Sequence, residues 1–255
     1  MPSFAAIKKI VSANVGLVTG ALVLTVGFAG TASAQALRTE NLSAPTEVLV
    51  EGEASNAETV FLLNGLGIIE RDLMLGMLFL QDGLTSTVGS HFTHPRKETW
   101  PLIKDGLAAA GIADFEGLLV TLEGETDPVA INEAHVAVVA AVIMAESALN
   151  ASEQDKILAI YEGVRTANDQ FNTSGPTEAV KYQEGWASLM IVRGKIDILL
   201  KSPDPAVAKA AMEMGKALDD VILALPDPAV TAPVDFDPAP VAEILGRIEG
   251  LVGAV

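Results

Sequence analysis

The chain contains no cysteine. That excludes disulfides, thiolate metal sites, cysteine nucleophiles and haem attachment through C-x-x-C-H, so the fold is held by its core alone. Aromatic residues are only 5% of the 255 positions, and there are three histidines. Basic residues are scarce as well, with 16 Lys and Arg against 33 Asp and Glu and a formal charge of −17. So acidic a chain repels phosphate backbones and anionic lipid surfaces, which argues against nucleic acid as a partner. Cations and basic protein surfaces suit it better. Catalytic signatures are also missing. There is no G-x-S-x-G, no H-E-x-x-H, no P-loop and no dinucleotide fingerprint, so the chain is read as a non-enzyme.

What is present begins with a secretory pattern. Lys8 and Lys9 form a positive start, Ile10 to Phe28 an apolar stretch, and Ala32-Ser33-Ala34 a small-x-small cleavage box. Residues 1–34 are therefore expected to be a cleavable signal peptide, and the periplasm the destination. A membrane anchor is the competing reading, but it needs about 20 clean apolar residues and has no cleavage box. Removing residues 1–34 takes away Lys8 and Lys9 and no acid, so the charge moves from −17 to −19. No stable membrane span is expected after cleavage.

The rest reads as all-α, a helical bundle of about six to eight helices with up-down connections. Residues 35–56 are a polar lead-in. Residues 57–225 form the bundle domain, with a split near Gly124 as the alternative. Within it, Ala57 to Gln81 is apolar on almost every side, which marks a central, buried helix. Its Glu70-Arg71-Asp72 triplet argues against a membrane span, and Gly65, Gly67 and Gly76 point to close packing or a bend. Pro95 starts the next helix, which Pro101 bends or splits. Further helices are expected over about Asp114 to Leu122, Pro128 to Asn150, Ser152 to Phe171, Thr177 to Lys201 and Pro205 to Leu225. Ser152 and Asp155 make a candidate capping box, and Thr177 is expected to cap its helix. Residues 226–240 are a Pro-rich linker, either a mobile tether or packed on the bundle, and 241–255 hold a C-terminal helix. The Val-rich run Val136 to Val142 comes nearest to a strand, but its length and alanine content favour helix.

The only concentrated chemistry lies in Ser90-His91-Phe92-Thr93-His94-Pro95-Arg96-Lys97-Glu98. His91, His94 and Glu98 have spacings of three and four, which bring side chains to one helical face. Imidazole and carboxylate together suit zinc, copper or iron. The plain alternative is that His94 caps the helix begun by Pro95, with Glu98 favoured by the dipole of the first turn. His135 shares a face with Ile131, Val138 and Val142, as a core or edge residue would, and becomes a fourth ligand if the bundle brings it close. Glu70 and Asp72 on the central helix are the next acids to consider. The Glu-x-x-His motif of di-iron bundles is absent. Tyr182 and Trp186, one turn apart, read as core packing, and the scattered methionines as core filling.

His91-Phe92-Thr93-His94-Pro95 with Glu98, then Gly106-Leu107 and Asp114-Phe115-Glu116, resembles uncharacterised exported all-helical bacterial proteins with an H-x-x-H-P-x-x-E motif. Gly89-x-His91 is also similar to the first half of the G-x-H-x-x-E motif of imelysin-like periplasmic proteins, a family linked to iron uptake. His94 stands where that motif has its Glu. The resemblance spans about 30 residues and implies metal handling. The expected function is a periplasmic metal-binding protein in uptake or delivery, its partner a metal ion. The other class is a non-catalytic module of the cell envelope that binds an envelope protein and no metal.

Overall fold

The computed structural model describes residues 56–81 and 91–252. The expected signal peptide and nearly all of the polar lead-in lie outside them. The described residues form eight α-helices and one π-helical turn. These are α1 (Ala57–Gln81), the π turn (Pro95–Thr99), α2 (Trp100–Ala109), α3 (Glu116–Gly124), α4 (Pro128–Ala148), α5 (Glu153–Gln170), α6 (Ala179–Leu199), α7 (Pro205–Ala224) and α8 (Ala239–Val252). No strand occurs among them; the only extended pairing is an isolated antiparallel bridge between Thr177 and Val234. The architecture is the all-α bundle expected from the helical periodicity.

Local chemistry sets the helix starts. Asn56 Oδ1 accepts from the Glu58 and Thr59 amides and opens α1. Asp127 and Asp204 do the same for α4 and α7, each just before a proline that has no N–H to satisfy. Both bonds of the Ser152–Asp155 capping box are made at α5. Asp155 Oδ1 also takes the Asn56 amide at 2.8 Å, which ties the start of α1 to the start of α5.

Helix α1 packs against α2, α4, α5, α6 and the π turn. Its central position follows from its sequence, since Leu62, Leu66, Ile69, Leu73 and Leu75 are all at most 2% exposed. Two glycines make the closest approaches possible. A Cβ on Gly65 would stand 2.4 Å from Ile103, and one on Gly76 would stand 2.3 Å from the Phe92 ring. One apolar cluster joins α1 to α2, α3 and α4. A second joins α5, α6, α7 and α8. Tyr182 and Trp186 are both buried, as expected of core residues.

Three local expectations change. Thr177 does not cap α6; Glu178 holds the N-cap position, and Thr177 exchanges backbone hydrogen bonds with Val234 at 2.9 and 2.8 Å. His94 holds the N-cap position of the π turn without capping it through its side chain. Its backbone is already helical, and its side chain makes no capping bond. Pro101 neither bends nor splits α2 from within but stands in its first turn, directly after the π turn. There the Trp100 amide reaches back five residues to the Pro95 carbonyl. Widening the turn accommodates two prolines that cannot donate to the ladder.

The Pro-rich segment lies on the bundle. The Tyr182 hydroxyl donates to the Pro226 carbonyl at 2.6 Å, and Gln183 Nε2 donates to the Val230 carbonyl at 2.7 Å. Val234 is buried, and Phe236 meets Phe171 and Tyr182 edge-on. Proline-rich backbone has few donors to satisfy, so acceptance from α6 side chains suffices to hold it.

Candidate metal centre

Asp72, His91, His94 and Glu184 converge at one point. Each offers a ligand atom, and the four atoms lie within 4.8 Å of one another. Asp72 comes from the middle of α1, His91 and His94 from the turn leading into Pro95, and Glu184 from the first half of α6. Asp72 and His91 are fully buried, and Glu184 is 6% exposed. The site thus sits where α1 crosses α6, with the histidine turn laid over both. The Gly76 notch holds that turn in place, because the Phe92 ring occupies the volume a side chain would take.

The imidazoles are held by rings as well as by the backbone. His91 stacks on Phe79 at a centroid distance of 5.6 Å, and His94 meets His91 edge-on at 5.5 Å. His91 Nδ1 is 3.9 Å from Asp72 Oδ1, and His94 Nδ1 is 3.8 Å from Glu184 Oε1. Both separations exceed a hydrogen bond. As a result Asp72 Oδ2, both nitrogens of His91 and Nδ1 of His94 are buried with no hydrogen-bond partner. Buried polar atoms are almost always paired, so unpaired atoms on three of the four convergent residues call for an ion or water beside them.

Arg71 is the resident cation. It is 2% exposed, and its Nε and Nη2 donate to Asp72 Oδ1 at 3.0 and 2.9 Å. Its Nη2 also lies 4.0 Å from Glu184 Oε1. Burial alone would lower its pKa, but the charges of Asp72 and Glu184 outweigh that and raise it. Glu184 moves the other way from an ordinary carboxylate. Burial raises its pKa, with the charge of Asp72 adding to the effect and Arg71 opposing it. Arg71 spends its bonds on Asp72 Oδ1, the oxygen 3.9 Å from His91 Nδ1, and leaves Oδ2 without a partner. It therefore acts as an orienting partner for a ligand carboxylate.

The histidine cluster expected from sequence supplies two members of this group, His91 and His94. Glu98 stands beside it, with Oε1 3.9 Å from His94 Nε2 and a side chain 49% exposed. It is not one of the four convergent residues, nor is His135. His135 lies on α4, 7% exposed, with its pKa lowered to about 4 by burial. Glu70 turns instead to Lys195, 2.5 Å away. Sequence reasoning reached Asp72 as an acid to consider and missed Glu184 and Arg71. The available signal for Glu184 was Gln183-Glu184 between Tyr182 and Trp186, two polar residues inside a core segment.

No protein-family model matches the chain, and no curated protein or solved structure matches it.

Proposed function

We propose that this is an exported metal-binding protein that holds one zinc, copper or iron ion at Asp72, His91, His94 and Glu184, in uptake or delivery. The observation that carries the reading is His91, a fully buried imidazole with neither nitrogen hydrogen-bonded, facing Asp72, His94 and Glu184. Two imidazoles and two carboxylates make a borderline donor set, too nitrogen-rich for magnesium or calcium and without the sulfur that selects Cu(I). Metal–ligand bonds of about 2 Å bring ligand atoms within about 4 Å of each other, so the group closes on an ion by a contraction of about 1 Å. Charge favours this. Two buried carboxylates face one guanidinium, and Glu98 at the rim adds a third negative charge, so a divalent ion brings the set to neutrality.

The periplasmic destination rests on the pattern of residues 1–34, and the absence of enzymatic motifs favours binding over catalysis. The test is metal analysis of the protein purified without a histidine tag, followed by titration with zinc, copper and iron. Micromolar or tighter binding at one ion per chain, lost in His91→Ala and His94→Ala, is the expected result. Absence of binding, or binding indifferent to both substitutions, would exclude the reading.

A second reading has one observation in its favour. Helix α4 is long and apolar enough to cross a membrane by length and composition, and only 28% of its most apolar window is buried. Val129, Val136, Ile143 and Met144 are exposed along it. An envelope protein that covers this face would make the chain an interaction module, with the histidines incidental. The same titration separates the two, since this reading requires no metal.

A further inference from the structure

His94 stands between two carboxylates. Its Nδ1 is buried, without a hydrogen-bond partner and 3.8 Å from Glu184 Oε1, while its Nε2 lies 3.9 Å from Glu98 Oε1. One ring nitrogen is thus turned to the buried acids and the other to the rim. Exposure follows the same division, since Glu184 is buried and the Glu98 side chain is 49% exposed.

The local fold sets Glu98 in this place. His94 leads into the π turn with a backbone that is already helical, and Glu98 follows within that turn, four residues on, so the two side chains meet. The basic neighbours of Glu98 are directed elsewhere. Arg96 and Lys97 both pair with Glu123 of α3, Lys97 at 3.2 Å. Among the described residues, His94 is left as the only basic group within 4 Å of the Glu98 carboxylate. The dipole of the turn favours an acid at this position whatever the acid faces. It does not account for a carboxylate set opposite Nε2 with both neighbouring cations drawn away.

We propose that Glu98 is a positioning residue for the metal centre, which accepts the Nε2–H of His94 and so presents Nδ1 to the ion. The inference rests on the metal reading of the site. In a neutral imidazole one nitrogen carries the proton and the other is free to bind, and the hydrogen bond made by the protonated nitrogen decides which is which. Histidine ligands commonly give their second N–H to a carboxylate, which fixes the ring and makes the ligand more basic. Closing the gap from Glu98 to hydrogen-bond length takes a shift of about 1 Å, within reach of a half-exposed side chain rotating about its own bonds. Arg71 orients Asp72 from the buried side, and Glu98 orients His94 from the rim. Glu98 is not itself a ligand in this arrangement.

The experiment compares the zinc affinity of the untagged protein with those of Glu98→Ala and Glu98→Gln, by competition with a chelating dye. Glu98→Ala removes the acceptor and is expected to weaken zinc binding about tenfold or more. Glu98→Gln loses the charge but keeps an acceptor oxygen, so it is expected to bind at least about threefold more tightly than Glu98→Ala. The metal-free urea midpoint is expected to be the same in all three. In 15N spectra of the zinc-loaded protein, His94 is expected to carry zinc on Nδ1 and a proton on Nε2, and that proton is expected to exchange with water faster in Glu98→Ala. Zinc on Nε2 of His94, equal affinity in Glu98→Ala, Glu98→Gln as weak as Glu98→Ala, or a loss of affinity matched by a lowered metal-free midpoint would each overturn the proposal and leave the metal reading standing. A protein that binds no zinc at all overturns both.

Discussion

His91 Nδ1 lies 3.9 Å from Asp72 Oδ1, both side chains are fully buried, and the carboxylate oxygen between them is claimed by Arg71. The geometry is that of a carboxylate presented to an imidazole without bonding it.

Among the described residues, Arg71 is the only cation within 4 Å of the Asp72 and Glu184 carboxylates apart from the two histidines, if those are protonated. Arg71→Leu therefore leaves two buried acids without a fixed countercharge. In metal-free buffer the variant is expected to lose about 3–5 kcal/mol in urea unfolding. Added zinc should return part of that loss, because it supplies the missing positive charge. A loss that zinc leaves untouched would count against metal binding at this point.

Gly76 and Phe92 occupy one volume. Gly76→Ala places a methyl 2.3 Å from the ring, so Phe92 has to move. Destabilisation of about 1–3 kcal/mol is expected from the overpacking. Because His91 precedes Phe92 in sequence, zinc affinity should fall with it. Urea midpoints and a zinc titration on the same variant check both effects.

Asp155 accepts two backbone amides, from Asn56 at 2.8 Å and from Ser152 at 3.1 Å. Asp155→Ala removes the capping box and the tie to α1 together. A loss of about 1–2 kcal/mol is expected, measured by urea unfolding, with Ser152→Ala costing less.

His135 sets a pH dependence. Its folded pKa is lowered to about 4 from 6.5 by burial. Above pH 6.5 it is neutral in both states and contributes no proton difference. Between pH 6.5 and 4 the unfolded chain takes up a proton that the folded chain does not. Stability is therefore lost as pH falls through that window, by up to about 3 kcal/mol. His135→Leu should flatten this part of the profile. The raised Glu146 acts in the opposite sense, but it is common to both proteins and cancels in the comparison. Unfolding free energies of the pair at pH 7.5, 6 and 5 give the answer.

Much of this fold was legible because its signals are local. Helix α1 begins at Ala57 and ends at Gln81, the bounds its apolar character indicates. Asp127-Pro128, Ser152 with Asp155 and Asp204-Pro205 mark three helix starts by side-chain chemistry within a single turn. The π turn was not legible, since two prolines six residues apart fit either a bend or a widened turn. Nor was the Thr177–Val234 bridge, which depends on how the Pro-rich segment returns to α6. The site divides the same way. His91 and His94 are neighbours in sequence and stand out for their rarity, and Asp72 interrupts a conspicuous apolar helix. Glu184 is one acid among 33 Asp and Glu residues, and only the crossing of α6 over α1 brings it to the histidines.

The most direct measurement is an anomalous difference map at the zinc edge from crystals of the zinc-loaded protein. The account predicts one strong peak at bonding distance, about 2 Å, from donor atoms of Asp72, His91, His94 and Glu184, and none in His91→Ala crystals. A map with no peak there, or with zinc held only by exposed carboxylates elsewhere, would contradict it.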